Sequence, residues 1–243
     1  MITAEVIARR AMRMLQAKAN ADRARGARRY FRETVEFFGL KSAEVTEMAA
    51  ELFQAVKKEW TMRQAVELCE ILLPDSRLEA KGVATLVFLK FKKEFGPDTF
   101  AVIKKWLLAG WCANWASVDT LCPKAMEAIF TRHPELAGQM KGWTESPNRW
   151  VKRAAAVSFI HLARRGRQLE TAYDICRRLF PVEDDLIQKA GGWLLREAGK
   201  TDPDRLEKFL LKHGPHIPRT TLRYAIERFP EVKRKKLLTA TKS

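Results

Sequence analysis

The chain has 243 residues, 47% of them hydrophobic, and a formal net charge of +16 from 45 Lys and Arg against 29 Asp and Glu. That length and apolar content allow a packed core, in one larger domain or two smaller ones, and exclude a disordered chain. The cationic surplus points to a polyanion partner, most often nucleic acid, with a generically basic soluble protein as the plain alternative.

The first segment, MITAEVIARRAMRML, has the spacing of an amphipathic helix interrupted by Arg. It lacks the continuous apolar stretch of a signal peptide. No run of apolar residues reaches the length of a membrane span, about 18 residues or more. A cytoplasmic protein without membrane contact is expected. Lys18 to Arg32 then gathers Arg23, Arg25, Arg28, Arg29 and Arg32 around Gly26. It reads either as a flexible basic loop reaching for phosphates or as a solvated helix end.

Further along, VELCEILL, VATLVFLKF, AVIKKWLL and AAAVSFIHLA carry apolar residues at helical spacing. Thr61 with Gln64 and Ser76 with Glu79 have the spacing of capping boxes. Gly39, Pro74, Gly96-Pro97, Gly166, Pro181, Pro203, Pro215 and Pro230 mark stops. No stretch alternates with period two, and no hairpin turn signal occurs. The pattern predicts an all-α chain of about a dozen short helices.

Three of these helices look alike. LEAKGVATLVFLKFKK from Leu78, WVKRAAAVSFIHLARR from Trp150 and LIQKAGGWLLREAGK from Leu186 each open on an apolar residue. A cation follows three positions on, then small residues, then an apolar run. The cations are Lys81, Arg153 and Lys189, separated by 72 and 36 residues. One 36-residue period before Arg153 stands Ser117, and a weaker copy, TLRYAIERF, carries Arg223. A helical repeat of this length fits HEAT-like helix pairs stacked as a solenoid, here one domain over residues 1–243. Equivalent positions would align the cations in a row on one face, broken near Asp119.

The four cysteines, Cys69, Cys112, Cys122 and Cys176, form no CxxC pair and have no His cluster beside them. They read as buried free thiols in a reducing compartment, and no metal or cofactor is expected. His213-x-x-His216 lacks further ligands and reads as part of a charged helix end. No phosphate loop, dinucleotide fingerprint or nucleophile elbow is present. That leaves WCANWASVDTLCP, Trp111 to Pro123, in which Asp119 follows Trp115 by one helical turn. Asp119 has two readings here, a helix N-cap or a functional carboxylate.

The runs NWASVDTLCP, HPEL, NRWVKRAA and IQKAGGWLLREAGKTDP, in this order, with RRYFRETVEFFGL near the start, resemble the AlkD family of HEAT-like-repeat alkylpurine DNA glycosylases. The similarity spans most of the chain. It implies an all-α HEAT-like solenoid whose basic concave face holds duplex DNA. It also implies release of cationic N3- and N7-alkylated purines, by a monomer, without a base-flipping pocket. By motif, Trp115, Asp119 and Trp193 correspond to the family's catalytic residues. Arg153 corresponds to a backbone-contacting Arg and Tyr30 to a Tyr near the duplex. Lys81, Lys189, Arg28 and Arg29 complete the expected DNA-binding set. Asn114, Ala116, Asp185 and Leu186 stand where the family can carry aromatic or acidic residues. The alternative is a non-catalytic HEAT-like solenoid that binds damaged or branched DNA, or a protein-binding scaffold.

Overall fold

A computed structural model describes residues 2–242. Every regular element among them is helical, and the only β pairing is an isolated bridge between Glu36 and Arg77. No described helix is long and apolar enough to cross a membrane. The chain divides into two compact units, Met1–Leu121 and Cys122–Ser243.

In the first unit the helices are Ala4–Ala17, Ala21–Arg28, Ser42–Val56, Met62–Leu72, Leu78–Phe88 and Pro97–Leu108, followed by the start of Trp115–Arg132. Ala4–Ala17 buries Ala4, Ile7, Ala8, Ala11 and Leu15, the i, i+3, i+4 stripe of a helix with one apolar face. Leu78–Phe88 is different. It packs against Ala4–Ala17, Ser42–Val56 and Met62–Leu72, and it buries even Glu79, Lys81 and Thr85. Thr61 and Gln64 do form the expected capping box at Met62–Leu72, the Thr61 N–H donating to Gln64 Oε1 at 2.9 Å. Ser76 and Glu79 do not. The incoming segment around Glu36 takes both partners: the Ser76 hydroxyl donates to the Glu36 carboxylate at 2.6 Å, while Glu79 turns to the backbone of residues 38–40.

In the second unit, Asp185–Ala198 is the central helix, packed on Arg149–Val157, Leu169–Leu179 and Arg219–Ala225. Its Asp184 cap accepts the N–H groups of Leu186 and Ile187. The Gly191-Gly192 pair sits where Arg219–Ala225 crosses: a Cβ on Gly192 would lie 2.6 Å from the Thr221 carbonyl oxygen and closer still to Tyr224 Cβ. At the edge, the His213 ring lies 4.7 Å from that of Phe209 and 6.2 Å from that of Phe180. Burial, then the neighbouring Lys212, Arg177 and His216, hold its pKa below the usual histidine value. It acts there as a neutral aromatic wall. All four cysteines are buried and free.

The repeat cations are placed differently from a surface row. Lys81 is only 8% exposed, and its ammonium donates to the carbonyl of Leu73 and, at 2.9 Å, to that of Trp111. Both carbonyls lie just past helix ends, where free acceptors and the helix dipole favour a cation. Burial lowers the Lys81 pKa, opposed in part by Cys112 and Asp75. In the second unit Arg153, 6% exposed, donates to the Leu186 carbonyl in the first turn of Asp185–Ala198. Both cations therefore tie their own helix to backbone about one repeat further on. Lys189 is half-buried and pairs with Asp185 one turn earlier at 2.7 Å, while Arg223 is exposed.

Gly192→Ala should destabilise the protein by about 1–3 kcal/mol, because the added methyl forces two packed helices apart. Urea denaturation measures this. An unchanged midpoint would mean that the crossing relaxes freely.

Candidate active site

Trp115 opens the helix Trp115–Arg132, and the residue before it sets the start. Asn114 is 2% exposed, and its Oδ1 accepts the N–H of Ser117 at 2.8 Å. Asn114 is thus the N-cap. Asp119 is the fifth helical residue, so it does not cap this helix. Trp115 and Asp119 lie one turn apart on the same face, and both are half-buried.

The Trp115 indole is braced. Phe31 stacks on it with ring centroids 4.9 Å apart and planes within 10°. Phe37 in turn meets Phe31 at 5.4 Å with a 56° tilt. A stacked aromatic pair contributes about 0.5–1.5 kcal/mol beyond its buried area and fixes ring orientation.

The bracing segment is itself anchored. The buried Glu79 carboxylate accepts the N–H groups of Phe38, Gly39 and Leu40 at 3.0, 2.8 and 3.1 Å. The Asn20 N–H donates to the Phe38 carbonyl at 2.7 Å. Gly39 has φ +89°, and a Cβ there would collide with the backbone at Asn20.

Lys18 to Arg32 resolves into a helix, Ala21–Arg28, capped by Asn20, followed by turns. Arg23 and Arg25 are held by Glu44 and Asp22. Arg28 and Arg29 are exposed and make no ion pair among the described residues, and Tyr30 beside them is 81% exposed. These three adjoin Phe31 and so lie close in sequence to the Trp115 brace. In the second unit, Trp193 is half-buried on Asp185–Ala198, one turn beyond Lys189 on the same face.

Other nucleophiles are poorly placed for chemistry. Burial pushes the Cys112 thiol up to about 12 despite the nearby Lys81, so it stays protonated and unreactive. No group of three or more His, Cys, Asp or Glu among the described residues could hold a metal.

The roles of Phe31, Phe37, Asn114 and Glu79 at the site are not in the sequence reading, which places Glu79 only in a capping box and Asn114 only as a family position. The aromatic brace pairs residues far apart in the chain, and nothing in local spacing signals it. Asn114 could have been read as a cap, since Asn before a helical run is an ordinary cap signal.

A model of the family described as DNA alkylation repair enzyme matches residues 11–229. Among solved structures, one described as a predicted DNA alkylation repair enzyme from Enterococcus faecalis shares the fold, with a TM-score of 0.77. The likeness covers 88% of this chain and 97% of that one at 19% sequence identity. No curated protein matches the chain.

Glu79→Gln should lower stability by about 1–3 kcal/mol, since an amide group replaces one of two acceptor oxygens facing three buried N–H groups. It should also weaken the near-ultraviolet circular dichroism signal from the Trp115–Phe31 stack. A wild-type urea midpoint would show that the carboxylate does not hold the segment.

Proposed function

Because the chain belongs to the DNA alkylation repair enzyme family, we propose that it is a DNA glycosylase that releases cationic N3- and N7-alkylated purines from duplex DNA. The observation that carries this reading is Asp119, a carboxylate one turn from a braced, half-exposed indole and with no part in capping its helix. Alkylation at N7 or N3 makes the purine cationic and a good leaving group. As the C1′–N bond breaks, its electron pair goes to the base and positive charge builds on the deoxyribose. Asp119 stabilises that charge and orients the attacking water, which adds at C1′ and loses a proton to the surrounding solvent. The Trp115 indole attracts the cationic nucleotide, by about 0.5–2 kcal/mol per contact, and Trp193 offers the same chemistry on the second unit. The leaving base needs no protonation, so this step uses no general acid, metal or cofactor.

The protein acts as a monomer on duplex DNA, and the lesion is met without burial of the base in a flipping pocket. Arg28, Arg29 and Tyr30, exposed beside the Trp115 brace, contact the DNA backbone. Arg153, Lys81 and Lys189 support the binding face, the first two chiefly by fixing the repeats that carry it. The Trp115 brace, in particular, favours a working site over a non-catalytic DNA-binding solenoid, which needs neither an oriented indole nor Asp119.

Asp119→Asn should cut single-turnover release of 7-methylguanine by about 10²–10³-fold, the usual cost of losing one transition-state charge stabiliser. Affinity for duplex DNA should stay near that of the wild type, because the effect falls on the transition state. Wild-type release rates in this variant would remove Asp119 from the chemistry.

A further inference from the structure

In the second unit, Asp185–Ala198 and Arg219–Ala225 cross at the Gly191-Gly192 pair. On Asp185–Ala198, Lys189, Trp193 and Arg196 follow one another at helical spacing, and all three are half-buried, so they form its open stripe. Gly192 borders that stripe, and Tyr224 stands against it: a Cβ on Gly192 would lie 2.4 Å from Tyr224 Cβ. A side chain at 192 would push Tyr224 off this position. The missing Cβ therefore seats Tyr224 beside the residue that precedes Trp193. The ring is not used in the core. Tyr224 is 36% exposed, and among the described residues only it and Tyr30 present an aromatic side chain to solvent to this extent.

The charges around this aromatic pair are arranged in an unusual way for so basic a chain. Lys189 pairs with Asp185 at 2.7 Å, and Arg196 pairs with Glu227. Asp185 stands one turn before Lys189, and Glu227 three residues after Tyr224. Free cations at 189 and 196 would repel a cationic ligand; each is offset by its own acid. Arg223, exposed next to Tyr224, makes no ion pair among the described residues. The result is aromatic surface between two neutralised pairs, with an available cation at its margin. Ring faces attract cations within about 6 Å, and guanidinium groups pair with phosphate. This is the complement of a nucleotide whose base is positive and whose phosphate is negative.

We propose that Tyr224 is a specificity-determining residue. Its ring acts with Trp193 to recognise the positive charge of the alkylated base, while Arg223 holds a neighbouring phosphate. The glycosylase reading above supplies the identity of that cation, and the proposal rests on it. An intact base is neutral and gains little from the ring. Tyr224 therefore separates damaged from undamaged DNA at the binding step, before any bond breaks.

The test compares two duplexes that differ only in carrying 7-methylguanine or guanine at one position, each with a 2′-fluorine on that sugar to block release of the base. Binding is followed by fluorescence anisotropy over a salt series. Wild type should bind the 7-methylguanine duplex more tightly. Tyr224→Ala should weaken that complex about 2–30-fold, the loss of one cation–π contact, and leave the guanine duplex at its wild-type Kd. Tyr224→Phe, which keeps the ring, should behave as wild type. Arg223→Ala should weaken both duplexes alike and lower the salt slope by about one unit. Wild-type affinity of Tyr224→Ala for both duplexes, an equal loss on both, or a Tyr224→Phe variant as weak as Tyr224→Ala overturns the proposal. A wild-type protein that shows the Tyr224-dependent preference but releases no base from the fluorine-free duplex would instead overturn the glycosylase reading and leave the recognition standing.

Discussion

The first unit depends on one buried carboxylate. Glu79 holds residues 38–40 by three backbone N–H groups, and this fixes the course of the segment that carries Phe37 and Phe31. Those rings brace Trp115, and Trp115 shares a helix face with Asp119. The chain of support runs from a charge to a backbone segment, to an aromatic stack, to the indole. Hydrogen bonds to a charged group contribute about 1.5–3 kcal/mol each, more than neutral ones. A carboxylate that collects three of them can set the position of an otherwise irregular segment. That rigidity matters because electrostatic and cation–π stabilisation work only when the groups are oriented before the reaction begins.

The basic character of the chain divides into two kinds of charge. Some cations are internal. Lys81 and Arg153 are almost fully buried and satisfy carbonyls about one repeat further on, so they stabilise the stacking of helices before they contribute any surface field. Others are paired with nearby acids, as Arg164 and Lys200 are with the nearly buried Glu197. The cations best placed to meet phosphates are exposed ones such as Arg28 and Arg29. The count of 45 Lys and Arg thus overstates the cations free to meet phosphates, while the net charge of +16 already subtracts their acidic partners.

Much of the fold was legible in the sequence because helices announce themselves locally. The apolar stripe of Ala4–Ala17 and the Thr61–Gln64 box involve residues within a few turns of each other. The Ser76–Glu79 pair had the same spacing and failed, because a distant segment competed for both side chains. The repeat was visible as a period, yet the fate of its cations was not. A lysine three residues into a helix reads the same whether it faces water or the carbonyl of Trp111. At the site, Trp115 and Asp119 were visible through their motif. That Asp119 does not cap its helix needed the position of Asn114, and Phe31 needed the tertiary fold.

The central claim is that a carboxylate and indoles act on positive charge that the lesion already carries. Measuring single-turnover base release from matched duplexes containing 7-methylguanine, hypoxanthine or uracil tests it most directly. The account predicts release of the cationic 7-methylguanine, with the two neutral bases retained. Rapid release of hypoxanthine or uracil would contradict it, since a neutral base leaves only when the departing base is protonated or its negative charge stabilised, and the proposed mechanism calls on neither.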